Sequence, residues 1–219
     1  MPTRTIAIGD IHGCSAALDA ILEAIRPRPD DTIITLGDYI DRGPDSRGVI
    51  DRLIDLAHRC HLVPLLGNHD QMLLDVRSGK NPIEWLLEIG GTTTLDSYGP
   101  GRDIGFIPSA HFEFLKGCLD YFETDTHIFV HGNYYPDLPM DEQPVSMLRW
   151  ESLRDTTPGP HESGKTVIAG HTSQKNGEIL DLGYLKCIDT YCYGGGWLTA
   201  MDVRTEEVWQ ANKDGEMRR

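Results

Sequence analysis

The chain has 219 residues, of which 39% are hydrophobic, enough for one domain with a sizeable core and too apolar for a disordered protein. Its formal net charge of −14 argues against general binding to nucleic acid or to an anionic membrane, because both require an electropositive face. The five cysteines include no C-x-x-C pair and no apolar stretch approaches the length of a membrane span, so a cytoplasmic protein without a disulfide framework or zinc knuckle is expected.

Residues 3–8 read as a first strand, and its end carries Gly9-Asp10-Ile11-His12-Gly13. Ser15 is expected to cap a helix whose Leu18, Ile21, Leu22 and Ile25 fall on one face, stopped by Pro27 and Pro29. Residues 32–36 form a second strand, which delivers Gly37-Asp38-Tyr39-Ile40-Asp41-Arg42-Gly43; Asp45 or Ser46 then opens a second helix. Residues 61–66 form a third strand, followed by Gly67-Asn68-His69-Asp70. Three strands separated by two helices predict an α/β fold with mainly parallel pairing and helices on the sheet faces.

From about 71 to 118 the pattern is helical but broken, at Ser78-Gly79 and again at Gly90-Gly91. This reads as a helical insert beside the sheet, expected to shape substrate access rather than to do chemistry. Residues 121–124 and 127–130 flank an Asp-centred turn and read as a hairpin ending at His131-Gly132. Residues 136–163, rich in Pro, Asp, Glu and Gly, are expected to run as surface loops. A further strand over 166–169 ends at Gly170-His171-Thr172, short strands follow over 185–189 and 198–203, and the chain from Asn212 is expected to fray. No linker interrupts the chain, so 1–219 is taken as one domain.

The polar residues that follow the apolar runs form a set: Asp10, His12, Asp38, Asn68, His131 and His171. Carboxylate, imidazole and amide oxygen together suit borderline divalent metals, with Mn first and Fe or Zn as alternatives. Six donors exceed the three that a catalytic zinc uses and fit two metals roughly 3.5–4 Å apart. Bound cations would also reverse the repulsion between this acidic chain and a phosphorylated substrate.

The ordered set G-D-I-H-G, G-D-Y-I-D-R-G, G-N-H-D, H-G and G-H-T resembles the signature of the phosphoprotein phosphatase family of metallophosphoesterases. That family includes bacterial and phage Ser/Thr protein phosphatases and symmetrical diadenosine tetraphosphate hydrolases. The likeness continues at Ile188-Asp189-Thr190 and residues 195–200, where Tyr191 stands in place of the Gly that relatives tend to carry, so that loop is expected to differ. The resemblance implies a four-layer sandwich of two mixed β-sheets flanked by helices. It implies Asp10, His12 and Asp38 at one metal and Asp38, Asn68, His131 and His171 at the other, with Asp38 bridging.

A hydroxide formed between two metals would then attack phosphorus in line. His69, beside Asn68 but outside the ligand set, is the expected general acid, with Asp70 as the carboxylate that fixes its tautomer. Arg42 is expected to grip phosphate oxygens bidentately, and Arg149 is the candidate for a second phosphate-binding arginine, with Arg154 as its rival. The substrate expected is a phosphoserine or phosphothreonine protein, with a dinucleoside polyphosphate as the alternative; the acidic balance weakens a nuclease reading.

Overall fold

Successive βα units start the chain because each short apolar strand is followed by a turn and then by a helix with one buried face. The structure, a computed structural model, describes residues 3–219. In chain order it contains β1 (Thr5–Ile8), α1 (Ser15–Ile25), β2 (Thr32–Thr35), α2 (Ser46–Leu56), β3 (His61–Pro64), α3 (Asn68–Arg77), α4 (Ile83–Leu86), a kinked segment (Leu87–Gly91), α5 (Thr92–Tyr98), α6 (Ser109–Lys116), β4 (Tyr121–Glu123) and β5 (His127–Val130). The remainder is α7 (Val145–Trp150), β6 (Thr166–Ala169), β7 (Leu180–Asp181), β8 (Leu185–Cys187), β9 (Asp189–Thr190), β10 (Trp197–Asp202) and β11 (Val208–Ala211). Among the described residues no helix is long and apolar enough to cross a membrane.

The strands form two mixed sheets. The first has the order β11-β10-β1-β2-β3, with β9 also paired to β10, and the second β4-β5-β6-β8-β7. β1, β2 and β3 are parallel, and so are β5, β6 and β8; antiparallel partners flank both parallel cores. The strands are almost continuously apolar because both faces are covered. Along β1, Ile6 and Ile8 join the core under the helices while Ala7 joins the core between the sheets. Along β5 the alternation repeats: Phe129 lies between the sheets, and Ile128 and Val130 pack on the far side with Met140, Leu148 and Leu153. The layers are therefore helices, sheet, sheet, and an outer cover made by α7 and its flanking loops.

Several local expectations change. Ser15 is the first residue of α1 and makes no side-chain cap, whereas Asp45 does cap α2, accepting from Gly48 N at 2.9 Å. The stop expected at Gly90-Gly91 is present: Gly90 holds a non-helical φ of 111°, and beyond this kink a new helix, α5, begins. Residues 136–163 are not simply surface loop, since they contain α7 and supply Met140, Leu148 and Leu153 to the core. The C-terminus is tied down rather than frayed: Arg218 N donates to Gln210 O at 2.8 Å and its side chain reaches Gly177 O at 3.1 Å.

Candidate metal and phosphate site

The parallel strands of both sheets end at one edge, because Ile8 is in register with Thr35, Thr35 with Pro64, and Val130 with Ala169. The loops after β1, β2, β3, β5 and β6 therefore meet. Two glycines permit the close approach. A Cβ on Gly37 (φ 104°) would lie 2.6 Å from Gly67 N and 2.9 Å from His131 Nδ1, and one on Gly67 would lie 2.1 Å from Asp38 Oδ1. His12, Asp38 and His171 all hold positive φ (45°, 51° and 60°), backbone that residues other than glycine adopt mainly where surrounding bonds enforce it.

Asp38 is the hub. Its carboxylate lies 3.4 Å from His12 Nε2 and 3.5 Å from His131 Nε2. Asn68 Oδ1 lies 3.1 Å from both His131 Nε2 and His171 Nδ1. Two overlapping groups of mutually close donors result, His12-Asp38-His69 and Asp38-His131-His171, sharing Asp38. Asp10 lies at the same edge but outside both groups, its carboxylate oxygens 3.0 and 3.1 Å from His171 N.

The donor set fits divalent cations. Each candidate histidine bonds a backbone carbonyl with the ring nitrogen remote from the cluster: His12 Nδ1 to Ile40 O at 2.8 Å, His131 Nδ1 to Leu36 O at 2.8 Å, and His171 Nε2 to Trp150 O at 3.1 Å. That second bond holds the proton on the outer nitrogen and turns the inner lone pair to the centre. Burial pushes His12 down to about 3 and His171 down to about 4, and it also lowers His131, so all three imidazoles are neutral and able to ligate. Burial opposes ionisation of Asp38, but the surrounding histidines, His131 foremost, hold it well below the ordinary carboxylate range.

His69 does not pair with Asp70. Its Nδ1 lies 2.7 Å from Asp41 Oδ2, while Asp70 turns back to accept from Gly67 N at 3.0 Å and Tyr39 N at 3.1 Å. The reason is helical geometry: His69 and Asp70 are successive residues in the first turn of α3, and neighbours on a helix do not face each other. Burial works to lower His69, but the Asp38 and Asp41 carboxylates outweigh it and raise its proton affinity. Burial likewise raises the carboxyl of Asp41, against the pull of its bonds to His69 and Thr94.

Arg42 is exposed and lies over the cluster, with its guanidinium 3.2 Å from His12 Nε2 and 2.9 Å from His69 Nε2. It is not held by Asp41 or Asp45; among the described residues no carboxylate pairs with it. Instead Tyr193 cradles it, with the hydroxyl accepting at 2.6 Å and the ring centroid 4.6 Å from the guanidinium carbon. Arg149 is buried, bonds Gln71 and Asp120, and keeps an Nε without a hydrogen-bond partner. Its charge contributes to lowering His131. Arg154 is exposed and bonds Ser173 O.

Sequence reasoning missed Asp41, Thr94 and Tyr193. Asp41 sits inside the D-R-G motif, so its position was visible and only its partner was not. Tyr191, which departs from the expected Gly, holds φ 68° and so adopts the left-handed backbone that a glycine would favour there.

The family model described as Calcineurin-like phosphoesterase matches residues 3–196. Serine/threonine-protein phosphatase 1 of Salmonella typhimurium is 39% identical over 203 residues, covering 90% of each chain. A symmetrical bis(5'-nucleosyl)-tetraphosphatase of Burkholderia pseudomallei is 36% identical over 160 residues, covering 69% of this chain and 51% of its own, so this chain spans about half of that relative's length. A crystal structure described as a candidate diadenosine tetraphosphatase shares the fold, with TM-score 0.73 at 23% identity over 95% of this chain and 93% of its own.

Proposed function

The chain belongs to the calcineurin-like phosphoesterase family, and from that premise we propose that it is a dinuclear-metal phosphomonoesterase acting on phosphoserine or phosphothreonine in proteins. The observation that carries the reading is the pair of donor groups sharing Asp38, one of which includes His69, with the exposed Arg42 against His69. Asp10, His12 and Asp38 would hold one cation, and Asp38, Asn68, His131 and His171 the other. Two divalent cations, Mn foremost, would supply a nucleophile near neutral pH and neutralise the phosphoryl oxygens when bound.

The chain's own groups do the rest. Arg42 grips the phosphate through its planar fork, and Tyr193 sets the plane of that fork. His69, held through Nδ1 by Asp41, gives a proton from Nε2 to the departing alkoxide once Arg42 has turned from that nitrogen to the phosphate. Arg149, on the His131 side, is the second phosphate-binding candidate. An open site suits a side-chain phosphate on a folded partner, and Arg42 and Trp150 are both exposed beside the cluster.

The alternative is symmetrical hydrolysis of a dinucleoside polyphosphate on the same centre, supported by the tetraphosphatase relatives. The protein phosphatase relative is matched along 90% of its length against 51% for the tetraphosphatase, which favours the monoesterase. Turnover of a phosphoserine peptide and of diadenosine tetraphosphate by metal-stripped, Mn²⁺-supplemented protein separates the two. A higher kcat/KM on the dinucleotide would reverse the assignment.

A further inference from the structure

We propose that the helical insert is a positioning element for the phosphate chemistry, acting through the hydroxyl of Thr94 on Asp41 and through the carbonyl of Gly90 on Arg42. The proposal rests on the reading of His69 as general acid and Arg42 as phosphate grip.

Asp41 and Arg42 are successive residues with φ of 71° and 68°, and neither is glycine. Such a pair persists only where neighbouring groups over-determine it. Most of those groups come from the insert. Asp41 N donates to Thr94 Oγ1 at 2.8 Å and, more weakly, to Ser46 Oγ at 3.1 Å. Arg42 N donates to Gly90 O at 3.2 Å.

Proton counting sets the direction of each bond. Thr94 has one hydroxyl proton, and it goes to Asp41 Oδ1 at 2.6 Å. Ser46 Oγ, 2.9 Å away, then donates to Thr94 Oγ1. With Oδ1 taken, the carboxylate presents Oδ2 to His69 Nδ1 at 2.7 Å. Thr94 is fully buried and cannot touch a substrate, so it acts through Asp41 and is a positioning residue. Its hydroxyl fixes both the backbone and the carboxylate plane of the residue that orients His69.

The kink at Gly90 explains how the insert reaches the site. Here the helix breaks at Gly90 (φ 111°), which comes so near Arg42 that a Cβ there would lie 3.0 Å from Arg42 Cγ and 3.1 Å from Arg42 N. The Gly-Gly interruption thus aims one carbonyl at Arg42 before α5 brings Thr94 to Asp41.

The test compares Thr94→Val, which removes the hydroxyl at nearly constant volume, with Thr94→Ser, which keeps it. Both are loaded with Mn²⁺ and assayed on a phosphoserine peptide and on p-nitrophenyl phosphate, with His69→Asn alongside. Thr94→Val should lower kcat on the peptide roughly tenfold or more, from loss of a hydrogen bond to a charged group. It should lower kcat less on p-nitrophenyl phosphate, whose leaving group needs no proton, and should leave KM and the Ki of inorganic phosphate in place. Thr94→Ser should restore most of the peptide rate. Equal losses on both substrates, or an unchanged peptide rate in Thr94→Val while His69→Asn is impaired, overturns the proposal and leaves the acid reading standing. A full peptide rate in His69→Asn overturns both. If Thr94→Val does not fold, Gly90→Ala decides: a raised Ki for phosphate is expected through Arg42, and an unchanged Ki refutes the positioning role.

Discussion

Replacing Asp41 by Asn should impair the proton transfer attributed to His69, and replacing Asp70 by Asn should not. Asp41 is fully buried and its Oδ2 lies 2.7 Å from His69 Nδ1, so the pair is a short, desolvated, charge-assisted bond. A hydrogen bond of that type contributes about 1.5–3 kcal/mol. If that support is lost when the imidazolium must form, kcat falls about 10- to 150-fold. The loss is smaller than the roughly 10²–10⁴-fold expected for removing His69 itself, because the imidazole remains in place. Asp70 offers a matched control. It is equally buried and one residue from His69, but it bonds only backbone, accepting from Gly67 N and Tyr39 N. Burial and the neighbouring Asp38 push its carboxyl up to about 8, so a neutral amide at 70 alters the charge of the site little. Its cost should appear in stability, about 1–2 kcal/mol for a weakened helix cap. The assay is steady-state turnover of a phosphoserine peptide by Mn²⁺-loaded wild type, Asp41→Asn and Asp70→Asn, with urea denaturation of each. A kcat loss confined to Asp70→Asn, with Asp41→Asn near wild type, would refute the partner assignment.

Saturating Mn²⁺ should stabilise the metal-stripped protein: at 100 times Kd the gain is about 2.7 kcal/mol, or roughly 5–10 °C in Tm for a chain of this size, and Asp38→Asn should abolish the shift in a thermal melt. Arg42→Ala should weaken inhibition by inorganic phosphate about 10- to 150-fold, and Arg42→Lys should recover only part of it, because an ammonium lacks the planar fork. Arg149→Ala should raise KM for the phosphopeptide while Arg154→Ala leaves it unchanged; the reverse pattern would transfer the role to Arg154. Phe129→Ala, which empties a fully buried position between the sheets, should cost about 3–5 kcal/mol by urea denaturation.

The candidate metal donors were legible in the chain because each follows a short apolar run next to glycine, and parallel strands bring such ends to one edge. The second sheet was not legible from periodicity. Strands such as Ile128-Phe129-Val130 are apolar on both faces, and that pattern does not say which partner covers which face. The break at Gly90-Gly91 was legible from the glycine pair, but its consequence was not: the kink brings the Gly90 carbonyl to Arg42 N and α5 brings Thr94 to Asp41.

What the sequence determined by itself was the cast: which carboxylates, imidazoles and arginines stand at strand ends, and in what order. Local chemistry suffices for that, since apolar runs and glycine turns act over a few residues. What only the tertiary structure decided was the pairing. Asp70 is adjacent to His69 in sequence, yet the helix turns it away, and the carboxylate that meets His69 comes from 28 residues upstream. The hydroxyl that steadies that carboxylate comes from 53 residues beyond it. Neither distance leaves a periodic trace in the chain, because both contacts are made by the packing of separate elements around one buried edge.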